Sequence, residues 1–161
     1  MAESIALAGA TKAERYRELV PQLAALVDGE PDLIANLANL AAALRTGLPV
    51  ASWVGFYIAR GSELVLGPFQ GNVACVRIAF GRGVCGTAAA ECTTLIVPDV
   101  AQFPGHIACD AGSRSEIVVP ISRRGQVVAV LDVDSYELAA FDAVDAEWLS
   151  AIAELAATLA W

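Results

Sequence analysis

The chain has 161 residues, 57% of them hydrophobic, and a formal net charge of −8 from 10 basic and 18 acidic side chains. That length suits one domain over residues 1–161 with a generous core, and the acidic balance excludes a nucleic-acid backbone as partner, which requires clustered Lys and Arg. No apolar run approaches the ~20 residues that span a bilayer. The opening MetAlaGluSerIleAla has no basic segment leading into an apolar one, so neither a membrane span nor a secretory signal is expected and a cytoplasmic location is.

Thr11 stands three residues before Glu14, the spacing of a capping box. Tyr16, Leu19, Val20, Leu23, Leu26 and Val27 then recur at helical intervals, which predicts a helix over residues 12–28 ended by Gly29. Pro31 suits the first turn of a second helix striped by Leu33, Ile34, Leu37, Leu40, Ala41 and Leu44, so the N-terminal helices cover about residues 12–46. The period then changes. Residues 52–59 are aromatic and β-branched and read as a strand; residues 60–63 turn, and residues 63–69 return, with Pro68 marking an edge or an end. Residues 75–80 predict a third strand, GlyArgGly at 81–83 a turn, residues 84–91 a short helix, and residues 95–97 a brief strand stopped by Pro98. Residues 99–114 form a long loop, a length that is usually functional. Residues 116–121 and 126–133 make a second hairpin, and Asp142 caps a last helix over about residues 142–160. Hairpins dominate, so the fold class is α+β, with a mainly antiparallel central sheet over about residues 50–134, which also holds the candidate site residues, and packed helices.

Three cysteines (Cys75, Cys85, Cys109) and three acids (Glu116, Asp132, Asp134) share the otherwise apolar stretch 75–134. In a reducing compartment such cysteines are not permanent staples. The four cysteines are spaced by 10, 7 and 17 residues, with a single histidine, His106. Structural zinc favours close ligand pairs, so no metal is expected. Cys92 reads as a small buried core residue. Cys85 follows a glycine turn at a helix start, where the dipole favours a thiolate. Cys109 precedes Asp110, whose charge would raise its pKa and which Arg114 would oppose. Both are candidate nucleophiles, while Cys75, on its predicted strand, suits a resolving or supporting role. Asp132 and Asp134 lie at i and i+2, hence on one face of their strand. They are either solvated acids or, with Glu116, a cluster that grips an ammonium group or shares a proton; a neutral acid in an apolar pocket donates protons at physiological pH. Trp53 and Tyr57 also share a face, as core or as a pocket wall.

Seven motifs carry a resemblance: TrpValGlyPheTyr at 53–57, GlyProPheGlnGly at 67–71, AlaCysValArgIle at 74–78, GlyValCysGlyThrAla at 83–88, HisIleAlaCysAsp at 106–110, SerGluIleValValPro at 115–120 and LeuAspValAspSer at 131–135. With them the chain resembles the free methionine-(R)-sulfoxide reductases, single-domain enzymes of the GAF fold. The resemblance implies reduction of free L-methionine (R)-sulfoxide without cofactor, through disulfide formation and recycling by a thioredoxin-type dithiol. It implies Cys109 as the attacking residue and Cys75 and Cys85 as supporting or resolving ones, with Cys85 the rival for first attack. Glu116, Asp132 and Asp134 match substrate-site acids, Trp53 and Tyr57 match pocket aromatics, and a homodimer is expected. The rival reading is a GAF-type sensor of a small ligand or of redox state, without turnover.

Overall fold

The computed structural model describes residues 4–161. Helix α1, Lys12–Val27, starts where the sequence places its capping box: the Thr11 hydroxyl accepts from the Glu14 amide while the Glu14 carboxylate accepts from the Thr11 amide. Helix α2, Leu33–Gly47, is capped by Asp32, whose carboxylate accepts from the Ala35 amide at 2.8 Å. Pro31 therefore precedes the cap instead of occupying the first turn; an aspartate is the stronger cap and fixes the start. Six strands follow: β1 Trp53–Arg60, β2 Glu63–Gln70, β3 Arg77–Ala79, β4 Leu95–Val97, β5 Ser115–Arg123 and β6 Gln126–Ser135. Helix α3 is Gly83–Glu91 and helix α4 is Ala143–Ala157. The sheet order is β3-β2-β1-β6-β5-β4, and the pairings are antiparallel. This is the expected α+β arrangement.

The third strand is shorter than the sequence predicts. Only Glu63, Leu64 and Val65 of β2 find partners on β3, and the Leu66 amide donates the last ladder bond to the Val76 carbonyl at 3.0 Å. Past that point β2 presents Pro68, which has no N–H to give, and the chain leaves the sheet. Cys75 therefore lies in an irregular segment before β3 and not on a strand. A further departure is Cys92, which is exposed at the left-handed C-cap of α3 and does not join the core.

Alternation along the strands divides the molecule into two clusters. On one face Val54, Phe56, Ile58, Ile117, Val119, Leu131 and Val133 bury against Tyr16, Leu19, Leu37, Leu40, Leu149 and Ile152 of α1, α2 and α4. On the other, Trp53, Tyr57, Val118 and Val130 meet Val84, Cys85 and Ala88 of α3. The larger cluster is tied across its helices by Asp145, which accepts from the Tyr16 hydroxyl at 2.9 Å and from Lys12 at 2.5 Å. No helix among the described residues is long and apolar enough to cross a membrane.

Helix α3 can lie close to β3 because residue 86 is glycine: a Cβ there would stand 2.3 Å from the Ala79 carbonyl oxygen. Gly86→Ala would gain up to about 1 kcal/mol in helix propensity but must push backbone apart, at a cost typical of overpacking, about 1–3 kcal/mol. The clash wins, and the variant is expected to lose about 1–2 kcal/mol of stability in urea unfolding; a stabilised variant would contradict the packing described.

Candidate active site

The site is built on the α3 face of the sheet. Register sets Trp53 opposite Asp134, Gly55 opposite Asp132 and Tyr57 opposite Val130. On the next strand Glu116 lies opposite Asp134 and Val118 opposite Asp132. Directly opposed residues share a face, so the three acids point together toward α3. Glu116 is 6% exposed and Asp132 5%, while Asp134 is half-buried.

That placement governs their protonation. Burial pushes Glu116 well above the usual carboxylate range, and the neighbouring Asp132 and Asp134 add to the rise. Burial also pushes Asp132 up to about 7. Asp134 is raised by burial first and by Asp132 second. Carboxyls this close in a dry site cannot all ionise, so protons are retained at neutral pH.

The same surroundings reverse the sequence reading of Cys85. Its thiol is buried and donates to Glu116 Oε1 at 3.7 Å. Burial, followed by the charges of Asp132 and Glu116, holds its pKa well above normal. A helix N-terminus contributes roughly 0.3–1 kcal/mol toward an anion, whereas burying an ion costs several kcal/mol. Burial prevails, and Cys85 is a neutral thiol rather than a thiolate.

Trp53 lies flat across two glycines. A Cβ at Gly55 would stand 2.3 Å from its ring, and one at Gly71 (φ +139°) 2.5 Å from it. The indole stacks on Phe69 at 5.3 Å and on Tyr57 at 6.0 Å between ring centroids, and its Nε1 donates to the Asn72 carbonyl at 3.0 Å. The Tyr57 hydroxyl donates to the Cys75 carbonyl at 3.0 Å, and burial raises its pKa, so it remains a neutral donor.

Cys75 and Cys109 are joined as a disulfide, with Cα atoms 5.3 Å apart. Both are half-buried. Beside Cys109, the Asp110 carboxylate accepts from the Gly112 amide at 2.9 Å, the Tyr136 hydroxyl at 2.9 Å and the Asn72 amide group at 3.2 Å. The Gly112 amide, then Tyr136, holds Asp110 below the usual range. Asn72 and Tyr136 were not visible in the sequence as members of the site. Neither stands in a pattern that spacing could connect to Cys109, and Asp110 alone marked the place. His106 Nε2 lies 3.9 Å from Glu116 Oε2. Burial lowers the imidazole pKa and raises that of the acid, so this contact is between neutral groups.

Trp53, Tyr57, Cys85, Cys109, Glu116, Asp132 and Asp134 all line one cavity of about 40 Å3. Cys75 does not line it and enters only through its bond to Cys109. One polar atom there, Asp132 Oδ1, is buried without a hydrogen-bond partner, which leaves it for a ligand. Cys85, Glu116 and Asp132 also offer one ligand atom each within 4.8 Å of one another, the one grouping among the described residues that could hold a cation. Cys75 and Cys109 are committed to each other and Cys92 is exposed elsewhere, so no thiolate cluster of the structural-zinc type forms.

A two-faced antiparallel sheet thus brings proton-bearing acids under one helix together with a disulfide beside them. The GAF domain family matches residues 29–159. GAF domain-containing protein A of Dictyostelium discoideum is 51% identical over 96% of this chain and 98% of its own length. The free methionine-R-sulfoxide reductase of Escherichia coli is 47% identical over 92% of this chain and 91% of its own. The structure of the free methionine-R-sulfoxide reductase of Neisseria meningitidis, in complex with its substrate, superposes with a TM-score of 0.93 at 48% identity, covering 96% of this chain and 93% of that one. The chain belongs to the free methionine-R-sulfoxide reductases, oxidoreductases of the GAF domain family.

The raised acids make stability pH-dependent. An acid whose pKa is higher in the folded chain keeps its proton there while the unfolded chain has already released it. For Asp132 the window runs from its ordinary 3.8 to about 7. Stability is full below that window and falls as pH rises through it, by about 4 kcal/mol at most. Asp132→Asn is expected to flatten the fall in unfolding free energy between pH 4 and 7; a slope equal to the wild type's would contradict the assignment.

Proposed function

We propose that the protein reduces free L-methionine (R)-sulfoxide to L-methionine, with Cys109 attacking, Cys75 resolving and Glu116 supplying the proton. The observation that carries this reading is a Cys75–Cys109 bond beside a pocket whose acids keep their protons at neutral pH. The relatives named for this activity, and the Neisseria meningitidis structure in complex with its substrate, support it.

The chemistry follows from the residue types. The Cys109 thiolate attacks the sulfoxide sulfur, whose oxygen is a poor leaving group until protonated. Glu116 is a neutral acid at the right depth, and the Cys85 S–H donated to its Oε1 leaves its other oxygen to carry the proton. Methionine leaves, and the oxygen passes to Cys109 as a sulfenic acid. The Cys75 thiol then attacks that sulfur, expelling water and closing the disulfide. A thioredoxin-type dithiol returns the two electrons.

Binding uses the remaining groups. Asp132 and Asp134 face the cavity, where an arriving ammonium group would favour release of a proton and pair with the carboxylate formed, and Asp132 Oδ1 has no partner of its own. Arg82 caps α3 without any side-chain bond to its first amides, which leaves them free to donate to the α-carboxylate of the substrate. Trp53 and Tyr57 flank the thioether. A methionine inside a polypeptide carries amides at both positions and gains neither contact. A sensor of a small ligand alone would have no use for a cysteine pair beside the cavity.

Cys109→Ser is expected to yield no methionine from the R epimer with dithiothreitol as reductant, followed by chromatography. Full activity in that variant would move the attack to Cys85. Glu116→Gln is expected to lower kcat by about 10²–10⁴ while leaving the fold intact. Cys75→Ser should leave a sulfenic acid on Cys109 after one turnover, trapped by dimedone and located by peptide mapping.

A further inference from the structure

We propose that the exposed valines flanking Cys75 form the landing surface for a protein dithiol of the thioredoxin type, and that its thiolate attacks Cys75 and not Cys109. The proposal rests on the recycling step above and adds where the reductant lands and which sulfur it takes.

Val73 is 86% exposed and Val76 64%, the two most exposed large hydrophobic side chains among the described residues. They stand on either side of Cys75, in the segment that has left the sheet before β3 begins. Ala108, next to Cys109, is exposed as well. Small apolar protrusions around a half-buried disulfide fit a partner whose own reactive sulfur sits in an apolar surface, because each covers the other while the sulfurs meet.

Placement selects the sulfur. Cys109 lines the cavity, whereas Cys75 does not and stands between the two exposed valines. A protein thiolate arriving over the valines meets Cys75 first. The reductant thiolate therefore bonds to Cys75 Sγ, the Cys75–Cys109 bond breaks, and its electron pair goes to Cys109 as a thiolate, the group needed to attack the next substrate. The reductant's second thiolate then attacks its own bridged sulfur, closing the reductant's disulfide. Cys75 is released and takes a proton, so two electrons have passed.

The test compares two reductants on the full chain carrying Val76→Glu or Val76→Arg. With thioredoxin, its reductase and NADPH, both variants are expected to raise the KM for thioredoxin at least fivefold, while turnover with dithiothreitol stays within twofold of wild type. A thioredoxin lacking its second active-site cysteine should be captured as a mixed disulfide at Cys75. An unchanged KM in both variants, opposite effects of the two charges, equal loss with dithiothreitol, or capture at Cys109 would each overturn the proposal. A change in oligomeric state, read by analytical ultracentrifugation, would assign the valines to a second copy of the chain and overturn it as well. Wild-type protein that turns over with dithiothreitol but not with thioredoxin would sink the recycling step itself, a failure distinguishable from the others.

Discussion

The whole arrangement depends on three carboxyl groups being forced onto one dry face of a sheet. Period-two alternation puts Asp132 and Asp134 on the same side of β6, and the β5 register adds Glu116 beside them. Ionised together in that place they would cost several kcal/mol each. The chain avoids this by keeping protons, and retained protons are what sulfoxide chemistry needs. The destabilisation is offset elsewhere: the opposite face of the same strands carries the larger apolar cluster, closed by three helices. A sheet with one reactive face and one packing face keeps the two demands from competing.

Room for a ligand is obtained by omission of side chains. Trp53 can lie across the sheet only because Gly55 and Gly71 have no Cβ to meet it. Tyr57 stacks behind it and reaches the Cys75 carbonyl, so the aromatic wall and the sulfur-bearing segment are hydrogen-bonded into one unit. The α3 start completes the enclosure, brought close by Gly86 against Ala79. Each of these contacts joins a packing decision to the placement of a polar or sulfur atom.

Much of this was legible because the signals were local. The capping box at Thr11 and Glu14, the stripes of α1 and α2, both hairpins and the shared face of Asp132 and Asp134 all follow from spacing within one element. What failed depended on long-range packing. Cys75 looked like strand because its neighbours are β-branched, yet Pro68 on the partner strand ends the ladder first. Cys85 looked like a thiolate because it starts a helix, and only the tertiary fold reveals that two acids enclose it. Asn72 and Tyr136 join Asp110 from 38 and 26 residues away, distances at which no periodicity operates. Cys92 was read as core from residue type alone, whereas its backbone, at φ 50°, turns it out at a helix end.

The three sulfurs of the site divide the chemistry by environment. Cys109 lines the cavity, so a substrate atom can reach it. Cys75 does not line it and stands between two exposed valines, so the bond between the two cysteines joins the surface to the cavity. Cys85 is buried among the acids, which hold its pKa well above normal, and its thiol donates a hydrogen bond to Glu116. The bond to Cys75 fixes Cys109 at the wall of the cavity, so the loop that carries Cys109, Asp110 and Ser113 is tied to the segment before β3, beside the three acids.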